Sequence, residues 1–100
     1  MMFYVQLLKT EKPYFQEVVN GKKNFEIRRN DRDYITGDYI QLLEVEPVDE
    51  HLHRYTGRFV CAVIGFVTNY QQQAGFVVFS LLDISEVKYF DNPTNNRLMH

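Results

Sequence analysis

The chain has little with which to staple or anchor itself. It holds one cysteine, Cys61, no tryptophan and only three prolines. A lone cysteine excludes an internal disulfide and a multi-cysteine zinc site. No apolar run approaches the ~20 residues that a membrane helix needs, and Met1 to Gln6 lacks the charged-then-apolar layout of a signal peptide. A basic excess is missing too. The formal charge is −2 and the pI is near 5.9, which argues against a coat-type nucleic-acid binder with a basic surface throughout. No phosphate loop, dinucleotide fingerprint or Ser/His/Asp ordering is written in the chain. The expectation is a cytoplasmic, soluble protein with no membrane attachment and no cofactor.

What is present describes one domain. One hundred residues, 45 % apolar and 15 % aromatic, are enough for a single compact core. Residues 2–8 read as a strand. Thr10 then reads as the cap of a helix of about ten residues, with Glu11 and Pro13 in its first turn and a stripe of Tyr14, Phe15, Val18 and Val19. Asn20-Gly21 is a stop signal. Further strands are expected at Lys23–Arg29, Tyr39–Glu46, Tyr55–Thr68 and Phe76–Ile84, with a bulge or bend at Gly65. Residues 85–100 lose the pattern and read as a loosely held tail, leaving 1–84 as the domain. Helices do not alternate with strands, so a doubly wound sheet is not expected. The expected fold is mainly β (α+β): a small mixed or antiparallel barrel of about five strands, with one short helix after the first.

Charge is unevenly spread. Five of the eleven Lys and Arg residues fall within residues 22–33, beside three carboxylates. In Lys23–Arg29, Phe25 and Ile27 alternate with Asn24, Glu26 and Arg28, which predicts one packed and one polar face. Glu26 and Arg28 lie two apart and so project together. They either hold each other for a ligand through a charge-assisted hydrogen bond or form a solvated salt bridge worth little. Lys23 is a candidate phosphate or carbonyl contact, although strand parity puts it on the Phe25/Ile27 side unless the strand opens with a twist. The alternative is a surface lysine snorkelling over apolar neighbours. Arg29 to Asp33 is either a phosphate-contacting cluster or a self-satisfied charged turn. Elsewhere, His51, His53 and Glu50 lack a convincing third metal ligand. Cys61 lies in an apolar strand with no activating base near it in sequence.

At Gly21-Lys22-Lys23-Asn24-Phe25-Glu26-Ile27-Arg28 the chain is similar to the ASCH group of PUA-like domains, whose helix ends in Gly-x-Lys before a strand with a polar-x-Arg element. The continuation through Arg29-Asn30-Asp31-Arg32-Asp33-Tyr34 and Gly37-Asp38 resembles one family of bacteria and phages, domain of unknown function 3850. Tyr14-Phe15 and Gly75-Phe76-Val77-Val78 match its other features, so the resemblance covers about residues 2–84. It implies a pseudo-barrel with a cleft between helix and sheet that binds RNA or a modified nucleoside or nucleotide. Lys23, Glu26, Arg28, Asp31, Arg32 and Tyr34 are its implied ligand-binding residues. Some ASCH relatives are amidohydrolases of acetylated cytidine. Their lysine falls on Lys23, and Glu26 holds the place of their threonine, so Lys23 and Glu26 would be the catalytic pair of such an enzyme. A third reading is a phage or mobile-element accessory that binds a host protein.

Overall fold

Among the described residues, strands with one face turned to a core build one curled sheet with one helix against its inner face, and Gln6–Glu11 and Phe76–Leu82 bury every second position. The computed structural model describes residues 5–90. Its elements are β1 (Gln6–Glu11), α1 (Lys12–Val19), β2 (Phe25–Arg29), β3 (Tyr39–Pro47), β4 (His53–Thr68), β5 (Phe76–Leu82) and β6 (Lys88–Tyr89). The strand order is β1-β3-β4-β5-β2, with β6 beside β4. β1 runs parallel to β3 and the other pairs are antiparallel, so the sheet is mixed. The expected mainly β fold with one short helix behind the first strand is what the structure has.

Closure is where it differs from a barrel. β1 and β2 are the two ends of the sheet path, and among the described residues no ladder joins them. Side chains span the gap instead. Arg28 Nη2 donates to Lys9 O at 2.8 Å and Arg32 Nη1 donates to Leu7 O at 2.8 Å. Long charged side chains stand where backbone pairing would have closed the cylinder. They also cap the acceptors that leave an edge strand prone to pairing with other chains.

The core lies on the concave side. Leu8, Ile40, Leu42, Val60, Ala62, Ile64, Val77, Phe79 and Leu81 form it, with Phe15 and Val18 of α1 pressed against them. Thr10 does not cap the helix. It is the buried penultimate residue of β1, and Glu11 holds the N-cap position with no side-chain bond. Pro13 sits in the first turn, where its missing N–H costs nothing. At the other end Gly21 takes φ +77° and the N–H groups of Lys22 and Lys23 both donate to Glu17 O. This closing turn fixes where Lys23 begins.

Residues 85–90 extend the sheet. Ser85 N donates to Cys61 O, β6 pairs with Arg58 and Phe59, and Phe90 stacks against Phe59 at 5.0 Å. The sequence gives little sign of this, because a two-residue strand has no period to read. The remainder of the expected tail, 91–100, lies outside the described residues, as do residues 2–4 of the expected first strand.

The bend at Gly65 is present as a register shift between Ile64 and Val67 on β4 against β5. A Cβ at Gly65 would stand 2.3 Å from Ser80 Oγ and 3.1 Å from Leu82 Cγ. Ser80 Oγ accepts the Phe66 N–H at 2.9 Å, so moving it aside breaks a bond. Gly65→Ala is expected to lower unfolding stability by about 1–3 kcal/mol, measured by urea denaturation. An unchanged midpoint would mean that the bend tolerates a side chain.

Candidate functional site

β2 inverts the polarity expected of it. Glu26 is buried, 3 % exposed, while Phe25 and Ile27 are 39 % and 52 % exposed. The register explains why. Glu26 and Arg28 pair with Phe79 and Val77, both buried on the concave face, whereas Phe25 and Ile27 pair with Ser80 and Val78 on the convex one. The face expected to be packed is the outer one, and the polar face is turned in.

A buried carboxylate is costly unless paired and hydrogen-bonded. Here it is both. Glu26 Oε2 accepts from Lys23 Nζ in a short contact, and Oε1 accepts from Arg28 Nε at 2.9 Å. Lys23 lies before the strand, pinned through its backbone N–H on Glu17 O, so strand parity does not bind it. Its ammonium also donates to Phe25 O at 2.7 Å and lies 5.0 Å from the Phe25 ring centre. Arg28 continues inward, donating through Nη2 to Lys9 O and, at 3.2 Å, to Thr10 Oγ1.

This triad borders a cleft of about 560 Å³ in the gap between the sheet edges, under the exposed face of α1. Lys9, Thr10 and Glu11 line one wall, Phe25 to Arg28 the other, and Tyr14, Glu17 and Lys22 lie at the helix side. Tyr14 and Phe25 are both partly exposed there. The volume falls within the roughly 300–1,000 Å³ of small-molecule sites.

The other sequence candidates are placed elsewhere. Arg32 borders a second, shallower depression of about 410 Å³ with Val5, Gln6, Leu7 and Asp33. Asp31 is exposed and lines neither hollow. Tyr34 is a core residue, its ring 4.9 Å from that of Phe79. Burial pushes its phenol above the ordinary value of 10, with Arg32 and then Arg28 pulling it down. His51 and His53 are exposed, and no group of three metal-ligating side chains exists among the described residues.

Sequence reasoning missed Lys9, Thr10, Glu11, Tyr14 and Glu17 as lining residues. Tyr14 is 57 % exposed although its spacing put it in the packed stripe of α1. Also missed was an interior cluster around Glu44. Glu44 is 1 % exposed and is the Cα partner of Thr10. Leu43 and Val45 pair with Phe59 and Tyr55, so three residues of β4 stand opposite Glu44 alone. Gly57, at φ +97°, makes this bulge and leaves Thr56 and Arg58 on either side of the carboxylate. Thr56 Oγ1 donates to Glu44 Oε1 at 2.6 Å, and Arg58 Nε lies 3.7 Å from the same oxygen. A signal existed, since Glu44 shares the even-numbered parity of Ile40 and Leu42.

Two outcomes follow. Glu26→Gln keeps the side-chain shape but leaves two cations around a neutral amide, and is expected to cost about 2–4 kcal/mol in denaturant unfolding. A loss under half of that would class the triad with surface pairs. Tyr34 gives an alkaline signature. Its folded-state pKa lies above the unfolded value near 10, so the unfolded chain ionises first. Stability from this group is whole below that pH and is lost as pH rises through the folded-state value. Thermal midpoints should fall above pH 10, and the fall should be shallower in Tyr34→Phe. Identical slopes would remove Tyr34 from the account.

No curated protein matches the chain. A family model, domain of unknown function DUF3850, matches residues 5–81. That span runs from the start of β1 almost to the end of β5 and includes the cleft, the triad and both arginine clasps. By this match over most of its length, the chain belongs to the DUF3850 family.

Proposed function

We propose that the cleft between α1 and the open edges of the sheet binds a nucleoside-sized ligand, as a free modified nucleoside or as one nucleotide of an RNA strand. The observation that carries this reading is buried Glu26 held by half-buried Lys23 and Arg28 on the cleft wall, with Tyr14 and Phe25 partly exposed in the same hollow. A planar base has two faces for aromatic contact and a polar edge for fixed hydrogen-bonding groups. The chain's small negative charge favours one local contact over a groove that tracks a long phosphate backbone. The likeness of Gly21–Arg28 to the ASCH group of PUA-like domains supports the same reading.

Binding is favoured over amide hydrolysis by the state of Glu26. A general base needs an oxygen within reach of the proton it takes, and both oxygens of Glu26 already accept from cations. Arg28 meanwhile holds two β1 acceptors and so has a structural task besides any ligand.

Titrating isotope-labelled protein with a panel of nucleosides, including acetylated cytidine, tests the proposal. Amide shifts should cluster at Lys9–Glu11, Tyr14 and Phe25–Arg28. Tyr14→Ala should weaken binding by about 1–3 kcal/mol while leaving the fold intact. Shifts confined to the convex face, or none at all, would contradict it. Release of acetate from acetylated cytidine would establish the hydrolase in its place.

A further inference from the structure

The hydrogen-bonding groups of the triad can be counted against their partners, and what is left over selects a ligand. Lys23 has three N–H donors. One goes to Glu26 Oε2 and one to Phe25 O, so one remains. Arg28 has five. Nε serves Glu26, and Nη2 serves Lys9 O and Thr10 Oγ1. The two N–H groups of Nη1 have no acceptor among the described residues. Glu26 offers little in return: its oxygens keep lone pairs beyond the bonds to Lys23 and Arg28, but its side chain is only 4 % exposed. The part of the triad that reaches the cleft is therefore its two donors, Lys23 and Arg28.

Its charge points the same way. Two cations face one carboxylate, and the whole lining of the cleft carries four cations against three carboxylates. The surplus positive charge sits on side chains of which only 17 % (Lys23) and 23 % (Arg28) remain exposed. There solvent screens it less than at an open surface. Hydrogen bonds from a cation to an ionised oxygen are roughly twice as strong as neutral ones. An exocyclic amine brought to Lys23 and Arg28 would face two cations and no compensating charge of its own. A carbonyl would satisfy the geometry and leave the charge uncompensated.

Resting on the nucleoside reading of the cleft, we infer that its ligand is anionic: the Lys23 and Arg28 donors take a phosphate oxygen of a nucleoside monophosphate or of one phosphodiester link, with the base toward Tyr14 and Phe25. The remaining Arg28 nitrogen is single, since its forked edge is spent on Glu26, Lys9 and Thr10. The phosphate is thus gripped by one nitrogen from each residue and not by a bidentate arginine.

Affinities for a nucleoside, its 3′- and 5′-monophosphates and inorganic phosphate, measured by calorimetry at low and physiological ionic strength, test this. One monophosphate is expected to bind at least roughly ten-fold tighter than the nucleoside at low salt, with the gap narrowing as salt rises. Lys23→Gln should shrink the gap and Lys23→Arg should keep it. The backbone bond of Lys23 to Glu17 does not depend on its side chain. Equal affinity for nucleoside and monophosphates would overturn the anion assignment and leave the cleft reading standing. No binding of either would overturn both. Inorganic phosphate binding as tightly as the monophosphate would overturn the nucleotide assignment.

Discussion

A carboxylate buried between two cations is the constraint around which this molecule is arranged. Glu26 could sit on the concave face of β2 only if both its oxygens were answered there, because an unpaired buried charge costs several kcal/mol. Lys23 answers from the turn after α1 and Arg28 from two residues on along the strand. Once that bond set forms, Phe25 and Ile27 must face outward, since alternation allows nothing else. The helix-terminal turn at Gly21 becomes part of the site because it sets the position of Lys23.

The same cations decide how the sheet ends. Lys23 donates to Phe25 O, Arg28 to Lys9 O and Arg32 to Leu7 O. Each covers a carbonyl in an edge strand or at its start. A ladder between β1 and β2 would have consumed these groups and filled the gap. Side-chain clasps satisfy part of the edge and leave a hollow large enough for a ligand. The polar character continues inward from Thr10 of β1 to Glu44 of β3 and to Thr56 and Arg58 at the start of β4, while the later part of β4 and β5 keep the concave surface apolar.

Much of the architecture was legible because strands with a buried face announce themselves by alternation. β3, β4 and β5 appear close to where Tyr39, Val60 and Phe76 suggested, and Gly65 marked its bend. The orientation of β2 was not legible from its alternation; only the resemblance, which puts Lys23, Glu26 and Arg28 in one cleft, pointed to the face that is turned in. Phe25 and Ile27 are apolar and Glu26 and Arg28 are charged, so transfer energetics taken residue by residue give the opposite face. The pairing of Glu26 with Arg28 could be read from their spacing, but only the register of β2 on β5, a contact across some fifty residues, shows that the pair lies on the concave face. Open closure was hidden for a related reason, since whether an edge meets a strand or an arginine is a tertiary matter. Lys23, Glu26 and Arg28 are brought together, while Tyr34 reads alike in sequence whether it faces a ligand or, as here, Phe79.

Nitrogen-resolved NMR of the Arg28 side chain tests the central claim most directly. If Glu26 and the β1 acceptors hold it, the Arg28 Nε–H and Nη2 protons give separate signals that exchange slowly with water, and those signals vanish in Glu26→Gln. Signals averaged and exchanging as fast as those of a solvent-exposed arginine would contradict the account, because the triad would then neither bridge the gap between β1 and β2 nor shape the cleft.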